Sequence, residues 1–488
     1  MLKTVLKTAK KRGDCLLVNK YLHKAFNCFL IICFLIVTSG SKCMALTVGE
    51  EREIGQQLLY QIRLAFPLLD DPDISQYINE LGGEVLEVAG FQFFDYHFNI
   101  IESSQFNAFA APSGLVFFYS GLIEKMDHED ELVSVLAHEI GHVVARHIAQ
   151  GMDTGATITV ATTLLALASL ALGVDAISQA LLTGSLAAGQ AANLHFSRKH
   201  EEEADRLAYG WMKKMGRHPQ GQEAMLHVMR RINRYTMGNN IPQYLLTHPY
   251  PDERLDYVQS LIAYEEDELQ GFKETDDFAF LRLKYRILSL VKEGKKLRNL
   301  LHNRLADSTL TQSERIMLHY GLSQLDRMEN NYESSKKYLQ EVIKFYPHKS
   351  ILLVDLGLVE KEAGNKEHAL TLFRTAYDKN RHDMWATFQL ARLWLELENY
   401  DKAERYLKEV QIEMPAYSKV YFELGKLKAA IGEKANSAFY LARYNLYEGR
   451  LKLAKHNIKI ALKGQGLSEE YKEEIKKMQK TIQILEEN

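Results

Sequence analysis

Beyond its first tenth the chain has no cysteine. All four (Cys15, Cys28, Cys33 and Cys43) lie within residues 1–45, so the remainder has no disulfide, and none of its metal ligands or nucleophiles is a thiolate. Proline is scarce, with 9 in 488 residues. Together with 46% hydrophobic and 25% charged residues, this excludes a disordered or collagen-like chain. Basic excess is missing where nucleic acid would need it. Residues 1–45 hold eight Lys or Arg against one Asp, a net +7, which leaves −10 for residues 46–488 out of a total of −3. Such a body offers phosphate backbones no footprint, and a nucleic-acid partner is set aside. A bilayer-length apolar run is absent near the start as well. The run from Phe29 to Val37 falls well short of the roughly 20 residues that span a membrane.

With lysines before it and small residues up to Ala45 after it, that run reads as part of a secretory signal peptide covering residues 1–45. Lys42, just before Cys43, argues against lipidation there. The rest of the chain is too long for one hydrophobic core. A change of sequence character places two domains at 46–265 and 266–488.

The first of these mixes signals. Gly49 to Phe66 and Ile74 to Val88 have helical spacing, Tyr96 to Ile101 and Leu115 to Tyr119 read as strands, and Ala111-Pro112-Ser113-Gly114 is turn chemistry. The second carries no strand signal between 310 and 462. Instead Gly357, Ala391 and Gly425 recur every 34 residues, each preceded by leucine (Leu356, Leu390, Leu424). Ala369 and Ala403 follow twelve residues behind the first two, and Pro347 and Pro415 are 68 apart. This is tetratricopeptide spacing, in which small residues let paired helices approach. Residues 317–347 read as a degenerate earlier repeat, 278–305 as a capping pair, and 437–462 as the less regular close of the array. The expected fold is α+β: a mainly helical domain with a small sheet, followed by an all-α tetratricopeptide-repeat solenoid.

The chemistry is concentrated in Glu131–Ile148. Leu132, Val135, Leu136, Val143 and Ile148 mark a buried or half-buried helix, on which His138 and His142, four apart, share a face. Two neutral imidazoles at that spacing supply two corners of a tetrahedral zinc site, and Glu139, about 100° round, can reach a water there as general base. Burying these groups in an apolar run without a metal would be costly. His147, about 140° round from His142 on a continued helix, is expected to be a cap or hydrogen-bonding residue rather than a ligand.

A catalytic zinc needs a third protein ligand. Downstream, Ser197-Arg198-Lys199-His200-Glu201-Glu202-Glu203-Ala204-Asp205 sets Glu201 and Asp205 four apart. The arrangement suggests Glu201 on the metal and Asp205 bonded to a ligand imidazole, with Glu203 as the rival ligand. His248, before Pro249, has three readings: a surface turn residue, a group that polarises the developing oxyanion, or a fourth ligand that keeps the site latent.

His138-Glu139-Ile-Gly-His142, the Ser197–Asp205 run, Thr247-His248-Pro249-Tyr-Pro-Asp-Glu-Arg254 and the Asn107–Gly114 segment followed by Tyr119-Ser-Gly-Leu122 together resemble the gluzincin family of HtpX-like and BepA-like peptidases. Ser113 departs from the glycine common there. The resemblance covers residues 46–462 and implies a zincin-type metallopeptidase domain holding one Zn2+ on His138, His142 and Glu201, with Glu139, His248 and Asp205 in catalytic roles. For the BepA-like branch, a secreted peptidase followed by tetratricopeptide repeats, it implies a periplasmic endopeptidase with possible chaperone activity. Its partners would be misfolded or stalled outer-membrane proteins and their assembly machinery, docked by the repeats. The runner-up is a chaperone or adaptor whose peptidase is normally silent. The stretch from Gly155 to Asn193, whose one charge is Asp175, is expected to form helices buried against the active site or touching a membrane surface, rather than a span.

Overall fold

The computed structural model describes residues 66–147, 196–235 and 243–487, with isolated positions between 49 and 63. The expected leader and the Gly155–Asn193 stretch lie outside the described residues. No described helix is long and apolar enough to cross a membrane. The architecture is mainly helical with one three-stranded sheet, followed by paired helices of tetratricopeptide type.

Helix α1, Pro72–Ala89, starts where the Asp71 carboxylate accepts from the Ile74 N–H, with proline in the first turn, and stops at Gly90 in the left-handed region (φ 91°). Its apolar stripe, Ile74, Ile78, Leu81 and Val85, is buried in the same core as Phe98 and Ile100 of the sheet. The sheet comprises β1 (His97–Ile101), β2 (Ala108–Ala111) and β3 (Leu115–Tyr119) in the order β1-β3-β2. β3 runs parallel to β1, pairing His97 with Leu115 and Ile101 with Tyr119, and antiparallel to β2, pairing Ala108 with Phe118. Leu115–Tyr119, read from the sequence as a strand, is the central one. The edges are β1, which Leu68 bridges at Ile101, and β2, whose Ala-Phe-Ala-Ala lacks the β-branched residues that advertise a strand.

The tight turn between β2 and β3 is a 3-10 segment, Pro112–Gly114, in which Ser113 has φ 71° and Gly114 φ 79°. Left-handed backbone costs a non-glycine residue about 1–2 kcal/mol. The turn tolerates the serine at that cost. After β3 come α2 (Ser120–Lys125) and α3 (Glu129–Val144), which carries the first motif. Beyond the first undescribed gap come α4 (Arg198–Lys214) and α5 (Gln220–Tyr235), and beyond the second come the short α6 (Gln243–Thr247), α7 (Pro251–Tyr264) and α8 (Glu266–Leu269). Gly141 sits in the middle of α3, and a Cβ there would lie 3.3 Å from the Cα of Ala204 on α4. These two small residues let the helices carrying the two motifs come together.

The remaining helices pair in sequence: α9 (Phe278–Val291) with α10 (Gly294–Leu305), α11 (Gln312–Met328) with α12 (Tyr332–Phe345), α13 (Ile351–Glu362) with α14 (Lys366–Lys379), α15 (Met384–Glu396) with α16 (Tyr400–Glu413), α17 (Ser418–Ala430) with α18 (Lys434–Tyr447), and α19 (Leu451–Lys463) with α20 (Glu469–Glu487). The 34-residue phase has a packing cause. A Cβ on Gly357 would collide with the Phe373 ring, and one on Gly425 with the Leu441 side chain, each knob lying on the second helix of its pair.

Apolar packing is continuous from Ile74 to Val359, so the first core holds residues from both sides of position 265, and a second core runs from Val354 to Leu485. Buried ion pairs tie the halves. Arg282 reaches Asp73 (2.7 Å) and Asp355 (2.8 Å), while Arg286 reaches Asp71 and Asp73 (both 2.6 Å) and lies over the Trp385 ring. First helices of the repeats meet the start of α1 elsewhere too. Gln76 donates to the His382 carbonyl at 2.8 Å and accepts from the Met384 N–H, and Lys419 lies 3.3 Å from Asp70.

Asp383, which caps α15 by accepting from the Ala386 N–H, is buried next to this network. Burial above all, with Asp73 and Asp355 nearby, raises its pKa to about 6 despite the cap bond and Arg282. A carboxyl with a raised folded-state pKa favours folding below its unfolded value, near 4, and loses that contribution as the pH climbs through 6. Asp383→Asn keeps the cap and removes the charge. Thermal melts should show the variant more stable at pH 7, by about 1–2 kcal/mol, with a flatter stability profile between pH 4 and 6.

Candidate metal centre

His138 and His142 project from α3 with their Nε2 atoms 3.0 Å apart, as the i, i+4 spacing requires. α4 crosses behind them and brings Glu201 to 3.5 Å from each: Oε2 to His138 Nε2 and Oε1 to His142 Nε2. His248, at the end of α6, adds its Nδ1 at 3.1 Å from Glu201 Oε1 and 3.3 Å from His138 Nε2. These four residues are buried, and their ligand atoms lie within 4.8 Å of one another; among the described residues they are the one cluster of metal-ligating side chains so arranged. A tetrahedron with metal–ligand bonds of about 2.0–2.1 Å has edges of about 3.3 Å. Five of the six donor pairs lie 3.0 to 3.5 Å apart, counting either Glu201 oxygen, and the ligand atoms all lie within 4.8 Å, so three imidazoles and a carboxylate can hold such an ion after small side-chain adjustments.

Glu139, rotated off the ligand face, is fully buried, and neither carboxylate oxygen has a hydrogen-bond partner among the described residues. Its Oε1 lies 3.5 Å from His248 Nε2. His248 therefore presents one ring nitrogen to the ligand set and the other to Glu139, which removes the surface-turn reading.

Asp205 and Arg254 surround the ligands. Asp205 Oδ1 lies 2.9 Å from His138 Nδ1, so this imidazole can turn its other nitrogen to a metal. Arg254, on α7, donates from Nε and Nη2 to the two Asp205 oxygens (2.7 and 2.8 Å), and its Nη1 lies 2.8 Å from Glu201 Oε2. Burial alone would push both acids up. Arg254, aided by His248 at Glu201 and by His138 at both, reverses that, holding Glu201 well below the usual carboxylate range and Asp205 at about 2. Burial and Arg254 oppose charge on His138, yet Asp205 and Glu201 raise its pKa to about 9; burial drives His142 the other way, well below its ordinary value. A cation held by these residues would take the place of the His138 proton.

Three of the flanking residues had weaker sequence signals. Arg254 was visible only as the last residue of the third motif, with nothing to assign its work. His147 lies off the predicted wheel because α3 stops at Val144 and Arg146 turns left-handed (φ 55°). The chain bends back, putting His147 Nδ1 3.0 Å from His142 Nδ1 and Nε2 3.3 Å from Glu203. Glu203, the rival ligand in the sequence reading, is thus turned toward His147. Tyr244, four residues before His248 on α6, stacks its ring on that imidazole with centroids 4.5 Å apart; no motif flagged it.

The family model described as Peptidase family M48 matches residues 72–262, a span holding every residue of this centre. Residues 72–262 thus carry a Peptidase family M48 domain. A second model, Tetratricopeptide repeat, matches residues 360–431. Over 322 residues the chain is 32% identical to the Beta-barrel assembly-enhancing protease of Escherichia coli (strain K12), covering 64% of each chain. It is 30% identical over 332 residues to the protein of the same name from Yersinia pestis, covering 67% of this chain and 66% of that one. Metalloprotease LoiP of Escherichia coli (strain K12) is 27% identical over 174 residues, covering 34% of this chain and 63% of that one. The match thus spans a little under two thirds of the length of these relatives.

If the Asp205 carboxylate orients His138, Asp205→Asn should weaken Zn2+ affinity by about 10–100-fold while leaving the helical content intact. Competition against a chromophoric chelator, with circular dichroism as the folding control, measures both.

Proposed function

We propose that this M48 chain is a zinc metalloendopeptidase of the periplasm that acts in the quality control and assembly of outer-membrane β-barrel proteins. The observation that carries the reading is the buried Glu139 carboxylate, which has no hydrogen-bond partner among the described residues, beside a four-residue ligand set. Its Oε1 has only the 3.5 Å approach of His248 Nε2 noted above, so the carboxylate is available as a base for a peptidase water. His138, His142 and Glu201 are assigned as ligands and Asp205 as the group that orients His138. Zinc held there would supply Lewis-acid polarisation and acidify a water near neutral pH. Glu139 would take a proton from the water that attacks the peptide carbonyl and deliver it to the departing amine. Arg254 keeps Glu201 and Asp205 ionised throughout. Edge strand β2, not β3, is where an extended substrate would add.

His248, whose Nδ1 faces Glu201 and His138, is assigned as a fourth residue that would hold the ion in the resting chain. With four protein groups engaged no position would be left for a water, and the peptidase would stay latent until the α6–α7 segment moves. This favours joining the peptidase reading to the runner-up: a repeat-based chaperone or adaptor whose proteolysis is held in reserve.

Residues 1–45 are assigned as the export signal, 46–265 as the peptidase domain and 266–488 as the repeat domain. The outer-membrane context rests on the name of the 30–32% identical relatives, and the repeats are the surface assigned to clients and assembly machinery. Peripheral membrane contact belongs to the same proposal.

Glu139→Gln should bind zinc normally and lose hydrolysis of an unfolded protein substrate by about 10²-fold or more, the scale of a lost general base. If this variant fully restores a deletion strain, the adaptor role is the essential one. His248→Ala should raise proteolysis by the purified chain if latency is right. A fall in turnover would instead assign the imidazole to the transition state.

A further inference from the structure

The repeats are expected to dock partners, yet the first helices of α15/α16 and α17/α18 already meet the chain's own N-terminal half through Gln76, Trp385 and Lys419. A cavity of about 300 Å³ opens instead among α14, α15 and the start of α16. Four cations surround it: Arg374 and Arg381 from and just after α14, and Lys402 and Arg405 from α16. Asp378 is the one acid in its lining. That carboxylate is already engaged, 3.8 Å from Arg374 and 3.5 Å from Arg381. Among the described residues neither Lys402 nor Arg405 has an ion-pair partner. Lys402 Nζ lies 4.0 Å over the Trp394 ring, and the Arg405 guanidinium lies 5.7 Å from the centroid of Tyr406.

The walls are aromatic. Tyr377 and Tyr406 meet edge to face at 5.1 Å, with fully buried Leu390 also in the lining. Tyr377 is fixed by donating to Glu409 at 3.1 Å and accepting from Arg381 at 3.4 Å. Net positive charge around Tyr377, Leu390, Trp394 and Tyr406, on a chain that is otherwise mildly acidic, is complementary to carboxylates flanking one apolar or aromatic side chain. The volume is at the lower end of small-ligand cavities, about 300–1,000 Å³, enough for one large side chain and its backbone. A recess of this kind suits an inserted residue; a flat bilayer surface would not reach its interior.

We propose that this cavity is a docking site for a short acidic peptide segment of a partner protein, its carboxylates held by Lys402, Arg405, Arg374 and Arg381 and its apolar side chain lodged beside Trp394 and Tyr406. The assignment rests on the reading of the repeats as a docking array and does not depend on hydrolysis.

The test uses the full-length Glu139→Gln chain, so that binding is read without cleavage. A rhodamine-labelled Asp-Glu-Phe-Glu-Asp peptide is titrated by fluorescence anisotropy beside its Lys-Lys-Phe-Lys-Lys counterpart. Saturable binding of the acidic peptide alone is expected. It should weaken by about tenfold or more with Lys402→Glu/Arg405→Glu, and weaken with added salt. Trp394→Leu should lower affinity for the Phe peptide more than for its Ala analogue. The two reversed side chains are exposed, and circular dichroism confirms that the variant is folded. Equal binding of the basic peptide, no saturable binding, or undiminished binding by the charge-reversed chain overturns the site. Capture by phosphatidylglycerol vesicles without peptide binding also overturns it, in favour of a lipid surface. Peptidase activity of the parent chain, measured separately, tells whether the catalytic reading stands, whichever way the peptide result falls.

Discussion

One guanidinium makes the centre of this molecule possible. His138, Glu139, His142, Glu201, Asp205 and His248 are all buried where α3, α4, α6 and α7 meet, and charges in such a place are tolerable only when paired and hydrogen-bonded. Arg254 contacts both acids that hold or orient the ligands. It keeps Glu201 available as an anionic ligand and fixes Asp205 against His138, but makes no ion pair with Glu139, which faces His248 Nε2 at 3.5 Å. The division of labour between carboxylates is therefore set by distance to one side chain. Two that touch the arginine are structural anions, and the one that does not is free for proton transfer.

A second constraint is steric. Gly141 lies between the paired histidines of α3 and faces Ala204, which lies between Glu201 and Asp205 on α4. Bulk at either position would separate the motifs, so the small residues inside the motifs do as much to assemble the centre as the ligands flanking them.

Much of this was legible in the sequence, and for a physical reason. His138, Glu139 and His142 sit on one short helix, where spacing fixes direction, and the 34-residue phase of Gly357, Ala391 and Gly425 reflects knobs that need those gaps. Position-specific chemistry on regular helices is readable. Signals failed where the backbone leaves regular geometry or where partners are far apart in the chain. β2 was missed because alanines carry no strand signature, and with it the central place of β3. His147 hydrogen-bonds as expected and stays out of the ligand set, but its place beside His142 was not legible because a left-handed Arg146 ends the helix early. The role of Arg254 depends on a tertiary approach across 49 residues to Asp205, and no local pattern encodes it.

The sequence changes character near residue 265, but the apolar interior does not part there. The first core continues to Val359, and α13 contributes side chains to both cores. A recombination event or an engineer exchanging one array for another would therefore find the workable seam within that shared helix, nearly ninety residues beyond where the alphabet suggests it. The first repeats travel with the metal-binding half as part of its hydrophobic body.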